Sequence, residues 1–218
     1  MSANQPVRGA LSLRDIHIAL AGRTLIRRLS IDIAPGEIVT VMGASGVGKS
    51  SLLAFIGGFL AAPFSASGEV RIGAQALTAL PPHARGAGIL FQDDLLFPHL
   101  SVAGNLLFGL TPTVRSREAR RDAVSRALDG AGLSGFADRD PATLSGGQRA
   151  RVALLRTLLA QPRMLLLDEP FSKLDAALRA DFRSFVFDHA LQLGLPTLMV
   201  THDAADADAA GGRTLLLE

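Results

Sequence analysis

The 218 residues are 48% apolar, enough to bury a core for one domain, or for one domain with an inserted lobe. Net charge is only +2, which speaks against a broadly basic surface for nucleic acid. There is no cysteine, which excludes disulfides, thiolate zinc ligands and thiol catalysis and suits a reducing compartment.

The first residues, MSANQPVRGALSLRD, lack the basic end and apolar run of a signal peptide, so the chain is expected to stay in the cytoplasm. ALSLRDIHIAL (10–20) and LIRRLSIDIAPGE (25–37) alternate at period two and predict an antiparallel layer, with turns at Ala21-Gly22 and Pro35-Gly36. IVTVM (38–42) reads as a buried strand, and GKSSLLAFIGGFL (48–60) as the helix that follows it. The most apolar stretch, residues 51–64, holds two glycines and a proline and falls short of the ~20 residues that cross a bilayer. AGILFQ (87–92), MLLLDE (164–169) and PTLMVTHD (196–203) are further strands, each ending in polar residues. Short apolar runs alternating with helical patterns predict a parallel α/β sheet.

From about Leu95 to Leu159 there is no strand signal, and the segment reads as helices. RSREARRDAVSRALDGAG (115–132) places Ala119, Ala123, Ala127 and Leu128 at helical spacing, with Asp122 four residues before Arg126. Its arginines read as a solvated face rather than a nucleic-acid surface. No internal repeat or long linker interrupts the chain.

Gly43-Ala44-Ser45-Gly46-Val47-Gly48-Lys49-Ser50 fits G-x-x-x-x-G-K-[ST], the P-loop pattern, with Ser51 following. A strand precedes it and a helix follows, so backbone N–H groups and a helix N-terminus can face a polyphosphate such as that of ATP. Only two of the 22 basic residues are lysines, Lys49 and Lys173. Lys49 is a compact point charge for the β- and γ-phosphates, where a planar guanidinium would be too large, and the Ser50 hydroxyl is expected to ligand Mg²⁺.

Asp168, ending the MLLLD run, is the expected second Mg²⁺ residue, and Glu169 the base that orients or deprotonates the attacking water. An acidic strand end that caps a following helix is the plainer alternative for this pair. Gln92 and His202 end two other strands, where ligands of open α/β sheets sit, and form a possible γ-phosphate sensor, with Gln92 also a metal candidate. Leu144-Ser145-Gly146-Gly147-Gln148 opens a helix and could hold a second phosphate or serve as a plain N-cap.

Taken together these residues resemble the ATP-binding subunits of ABC transporters, over nearly the whole chain. The resemblance rests on GASGVGKSS as Walker A, Gln92 as the Q-loop residue, LSGGQ as the signature, MLLLDE as Walker B, SKLD ending in Asp175 as the D-loop, and His202 as the switch histidine. It implies one ABC ATP-binding domain over 1–218, with a P-loop core of about 1–94 and 160–218, an N-terminal antiparallel layer, and a helical subdomain of about 95–159. It also implies a head-to-tail dimer in which Ser145, Gly146, Gly147 and Gln148 of one copy cover the ATP on the P-loop of the other, Asp175 lying alongside. The partners implied are integral membrane permease subunits and, indirectly, an extracytoplasmic solute-binding protein, with the chain peripheral on the inner face of the membrane and no nucleic acid.

Within the family, GILFQDDLLFPHLSVAGNL is similar to importers of the thiamine, iron and sulfate type, and residues 140–175 are similar to the YnjD-like group. Two departures stand out. The position aligned with the family's adenine-stacking aromatic is about Leu20, and the chain has no Tyr or Trp, so adenine is expected to rest on an aliphatic surface. The sequence runs only 16 residues past His202, so an appended regulatory domain is not expected. A soluble ABC-type ATPase of DNA repair or translation would share the motifs, but usually with a coiled-coil insertion or tandem cassettes. A P-loop kinase or GTPase gives no reason for LSGGQ.

Overall fold

The structure, a computed structural model, describes residues 9–217. It divides into two compact units. One comprises the chain up to Ile89, Arg163–Glu169 and the stretch from Phe187; the other comprises Leu90–Pro162 and Pro170–Val186.

The first unit holds two sheets. β1 (Leu11–Leu20) and β2 (Arg23–Ile33) form an antiparallel hairpin in the register Leu11↔Ile33, Leu13↔Ile31 and Leu20↔Arg23. Its turn is Ala21-Gly22, both at positive φ (48° and 85°), the conformation that matches the right-handed twist of the flanking strands. β4 (Phe64–Ile72) pairs with the other edge of β1, and the short β5 (Gln75–Ala76) completes the order β2-β1-β4-β5. Neither β4 nor β5 is signalled by the sequence, because only Val70 and Ile72 of β4 are buried.

The second sheet has the order β6-β7-β8-β3-β9, from β3 (Ile38–Met42), β6 (Ala87–Leu90), β7 (Met164–Asp168), β8 (Thr197–Thr201) and β9 (Thr214–Leu216). β7, β8, β3 and β9 run parallel. β3, β7 and β8 are buried almost throughout, which is why their sequences are mostly Val, Ile, Leu and Met, with threonine the only uncharged polar residue among them, rather than alternating. One apolar cluster joins Leu13, Ile18 and Val70 of the antiparallel sheet to Val39, Leu166 and Leu198 of the parallel one through Leu52, Leu53 and Ile56.

Those last three lie on α1 (Lys49–Gly57), which ends at Gly58 with φ 86° and has no basic residue in its last turn. Its C-terminal carbonyls are satisfied instead by Arg85, buried to 6% exposure, which donates to the carbonyls of Phe55 (2.8 Å) and Ile56 (2.9 Å) and to those of Thr78 and Leu80. A guanidinium at a helix C-terminus meets the negative end of the dipole, which offsets the cost of burying it.

The second unit is helical: α2 (Val102–Gly109), α3 (Arg117–Gly130), α4 (Gly146–Leu159) and the first part of α5 (Ala176–Gln192). Its core gathers Val102, Leu106, Val124, Leu128, Val152 and Leu155. On α3 the buried stripe is Val124 and Leu128 with Ala127 beside them, and Ala119 is exposed, so the small alanines do not define the face that the spacing suggests. Bulkier side chains exclude more water per position and set the helix rotation. Asn105, wholly buried, accepts from the Phe97 N–H and donates to the carbonyls of Phe97, Leu100 and Ser101, tying loop 97–101 to α2. The chain closes with α6 (Ala204–Ala210) before β9, and among the described residues no helix is long and apolar enough to cross a membrane.

Candidate functional site

β3 delivers residues 43–48 to the N-terminus of α1. Gly48, the residue before the helix, has φ 108°, and a Cβ there would stand 3.1 Å from Leu25 Cβ. At Gly43 a Cβ would stand 2.7 Å from the Leu217 carbonyl oxygen. These two contacts explain glycine at both ends of the loop. No side chain caps α1, so its first N–H groups face outward at the positive end of the helix dipole. Lys49 is 6% exposed, and its Nζ donates to the carbonyls of Gly43 (2.8 Å) and Ala44 (3.1 Å), which holds the ammonium inside the loop.

The carboxylates come from the end of β7. Asp168 Oδ1 accepts from Ser50 Oγ at 2.9 Å, across 118 residues of sequence. Burial pushes the Asp168 carboxyl above the ordinary range; the Ser50 hydrogen bond opposes this, the Glu169 charge adds to it, and Lys49 opposes it. A hydroxyl and a carboxylate side by side are hard oxygen donors, and among the described residues there is no cluster of three His, Asp or Glu able to enclose a metal alone. That is the donor set of Mg²⁺ held by one carboxylate together with substrate phosphate oxygens.

Glu169 has φ 45°, in the left-handed region that costs a non-glycine residue about 1 kcal/mol or more. Its N–H donates to the Val200 carbonyl at 3.0 Å, so β8 holds the turn in place. Glu169 Oε1 then lies 3.1 Å from His202 Nδ1 and 3.9 Å from Lys49 Nζ. The two strand ends, β7 and β8, thereby bring base candidate, histidine and P-loop lysine to one point, as the topology of open sheets predicts.

The adjoining cleft, of about 290 Å³, is lined by Ser45, Gly46, Gly48, Lys49, Ser50, Ser51 and Glu169. Leu20, Leu25 and Phe64 line it as well. Leu20 and Phe64 are partners across β1 and β4. The expectation of a purely aliphatic wall is therefore corrected: a ring is present, brought by a strand that the sequence does not signal.

Gln92, Ser145, Gly146, Gly147, Gln148 and Asp175 belong to the other unit. β6 ends at Leu90, so Gln92 stands in the loop two residues beyond the strand rather than at its end, and it is exposed. Its neighbour Asp93 forms an ion pair with Lys173. Ser145 caps α4 in a reciprocal box: its Oγ accepts from the Gln148 N–H at 3.3 Å, and Gln148 Oε1 accepts from the Ser145 N–H at 3.0 Å. The capping alternative thus holds for this loop, and the box orients its first turn. Gly147 packs under Leu178, where a Cβ would approach to 3.3 Å. Asp175 Oδ1 accepts from the Leu178 N–H at 3.0 Å and so caps α5. In this unit Gln92, Asp94, Leu95, Leu96, Arg149 and Lys173 border a second, larger cleft of about 610 Å³.

The profile of the family "ABC transporter" matches residues 26–172. The chain is 50% identical over 199 residues to the ABC transporter ATP-binding protein YnjD of Escherichia coli (strain K12), covering 91% of both chains. It is 41% identical over 207 residues to the Fe(3+) ions import ATP-binding protein FbpC of Streptomyces avermitilis, covering 95% of this chain and 59% of that one. With the maltose/maltodextrin import ATP-binding protein MalK of Salmonella typhimurium it shares 39% over 209 residues, 96% of this chain and 56% of that one. It thus spans nearly all of YnjD but under two thirds of the two importer proteins. On the profile match and these identities, the chain belongs to the ABC transporter family, as one of its ATP-binding ATPases.

Proposed function

We propose that this chain hydrolyses MgATP as a head-to-tail dimer and couples that cycle to solute import through an integral membrane permease. The observation that carries the reading is the meeting of Ser50 with Asp168, and of Glu169 with His202 and Lys49, around one cleft. Importer direction rests on the similarity to FbpC and MalK, whose names describe import of Fe(3+) ions and of maltose/maltodextrin.

The α1 N–H groups and Lys49 hold the β- and γ-phosphates, and Ser50 with Asp168 holds Mg²⁺, which when bound neutralises charge on the phosphate oxygens. Glu169 takes the proton of a water whose oxygen bonds to the γ-phosphorus, while the bond from that phosphorus to the bridging oxygen breaks and ADP leaves with the electron pair. His202 holds Glu169 in position. One P-loop suffices for one triphosphate, so the helix start at Ser145–Gln148 serves the ATP of a second copy, with Asp175 and Gln92 at the same composite site. The apolar rim at Leu95 and Leu96 receives a short cytoplasmic helix of the permease, which in turn receives solute from an extracytoplasmic binding protein.

The test is co-purification with a candidate many-spanning permease, followed by MgATP hydrolysis in the presence of a candidate solute-binding protein. Stimulated hydrolysis supports the reading. Hydrolysis with no permease association under any nucleotide condition favours a soluble ABC-type ATPase.

A further inference from the structure

The cleft beside the P-loop is lined by two chemically different sets of residues. One set, from the P-loop and the end of β7, is polar and includes both Lys49 and Glu169. The other set consists of three apolar residues near three strand ends: Leu20 ending β1, Leu25 near the start of β2, and Phe64 opening β4. The Leu20↔Phe64 pairing sets the ring beside the leucine at the end of the β1–β4 ladder, so its position follows from sheet register rather than from a mobile loop. A nucleoside triphosphate anchored by its phosphates has one group with broad apolar faces to place against such a wall, its base.

We propose that Phe64 is the residue that stacks on the nucleobase and sets the base-dependent part of the affinity. This rests on the reading of the cleft as a nucleoside triphosphate site. Among the residues lining the cleft Phe64 is the only aromatic one, in a chain with 11 Phe, no Tyr and no Trp. Phe64 is half-buried, packing against the central cluster while still lining the cleft, and its ring contacts no other ring among the described residues. The wall offers no polar side chain to read a base edge, so recognition here is by stacking area, which every base provides.

The absence of Trp and Tyr makes the test direct. Calorimetric titration of the full chain with ATP and with inorganic tripolyphosphate, both with Mg²⁺, separates base from phosphate. Phe64→Ala should weaken ATP about tenfold, within the range of base–aromatic stacking, and change tripolyphosphate affinity less than about twofold. In Phe64→Trp the single indole should restore ATP affinity, and its fluorescence should be quenched by ATP but not by tripolyphosphate. Equal losses for both ligands in Phe64→Ala, unchanged ATP affinity, or an indole blind to ATP would each overturn the proposal. A wild-type chain that binds neither ligand would overturn the nucleotide-site reading itself, whereas one that binds both while Phe64→Ala behaves like wild type sinks this inference alone.

Discussion

His202 Nδ1 lies 3.1 Å from Glu169 Oε1, although the two residues are supplied by different strands and Glu169 adopts a left-handed backbone conformation to meet it. The contact fixes which way the carboxylate points. Glu169→Gln keeps the shape and removes the proposed base, so ATP affinity should stay within about threefold while turnover falls by about 10²-fold or more. His202→Ala should lower turnover less, because it loosens the carboxylate without removing it. Steady-state hydrolysis at saturating MgATP checks both; near-normal turnover in Glu169→Gln would falsify its role as base.

The capping box at Ser145 bears on the dimer. Ser145→Arg removes the cap, at a cost of about 1 kcal/mol, and puts a bulky side chain at the loop. It should still bind ATP on its own P-loop but neither dimerise with it nor hydrolyse it. Mixed with Lys49→Ala chains, a head-to-tail pair contains one intact P-loop facing one intact signature loop. One working site per heterodimer should therefore return. Size-exclusion chromatography with ATP and an activity titration of the mixture measure this, and no recovery at any ratio counts against the trans arrangement.

Leu95 is 56% exposed at the rim of the larger cleft and has φ 48°. Aspartate tolerates that backbone region better than leucine, so Leu95→Asp should leave the unfolding free energy within about 0.5 kcal/mol of wild type. A charge on the apolar rim should nevertheless abolish co-purification with the permease. Retained co-purification would move the docking face elsewhere.

Glu37 pins the turn between β2 and β3: its carboxylate accepts from the Ala34 N–H at 2.7 Å and from Arg213 Nε at 2.8 Å. Burial alone would raise its pKa, but these two hydrogen bonds and the Arg213 charge outweigh it and hold the carboxyl below 4.5. Stability gained this way is fully present above the unfolded value and lost as pH falls through the lower folded one. Glu37→Gln should be about 1 kcal/mol less stable than wild type at neutral pH, and the gap should begin to close below pH 4.5. Urea midpoints across that range check it; a gap that widens in acid would mean that the ion pair is not its source.

Much of the site could be read without coordinates because its determinants are local. The P-loop is eight consecutive residues, Asp168 and Glu169 follow a continuous apolar run, and buried parallel strands carry such runs for a reason independent of what surrounds them. LSGGQ likewise announces a helix start by its own chemistry, and the capping box is what a serine three residues before a glutamine predicts. The run AGILFQ puts Gln92 at a strand end, yet Phe91 is 37% exposed and the ladder has already ended at Leu90.

Tertiary structure alone decided the rest. β4 buries two residues of nine, too few for a periodic signal, so neither the strand nor its pairing with β1 was visible, and with them the placing of Phe64 opposite Leu20. The Ser50–Asp168 bond joins helix α1 to the end of β7, the Glu169–His202 contact joins the residues just past β7 and β8, and the left-handed turn at Glu169 is held by its hydrogen bond to β8. Composition, motifs and caps follow from neighbours along the chain, and the sequence determined them by itself. Register and convergence at strand ends follow from which strands pair, a choice made by long-range burial, and that is where the apolar lining of the cleft and the carboxylate geometry were settled.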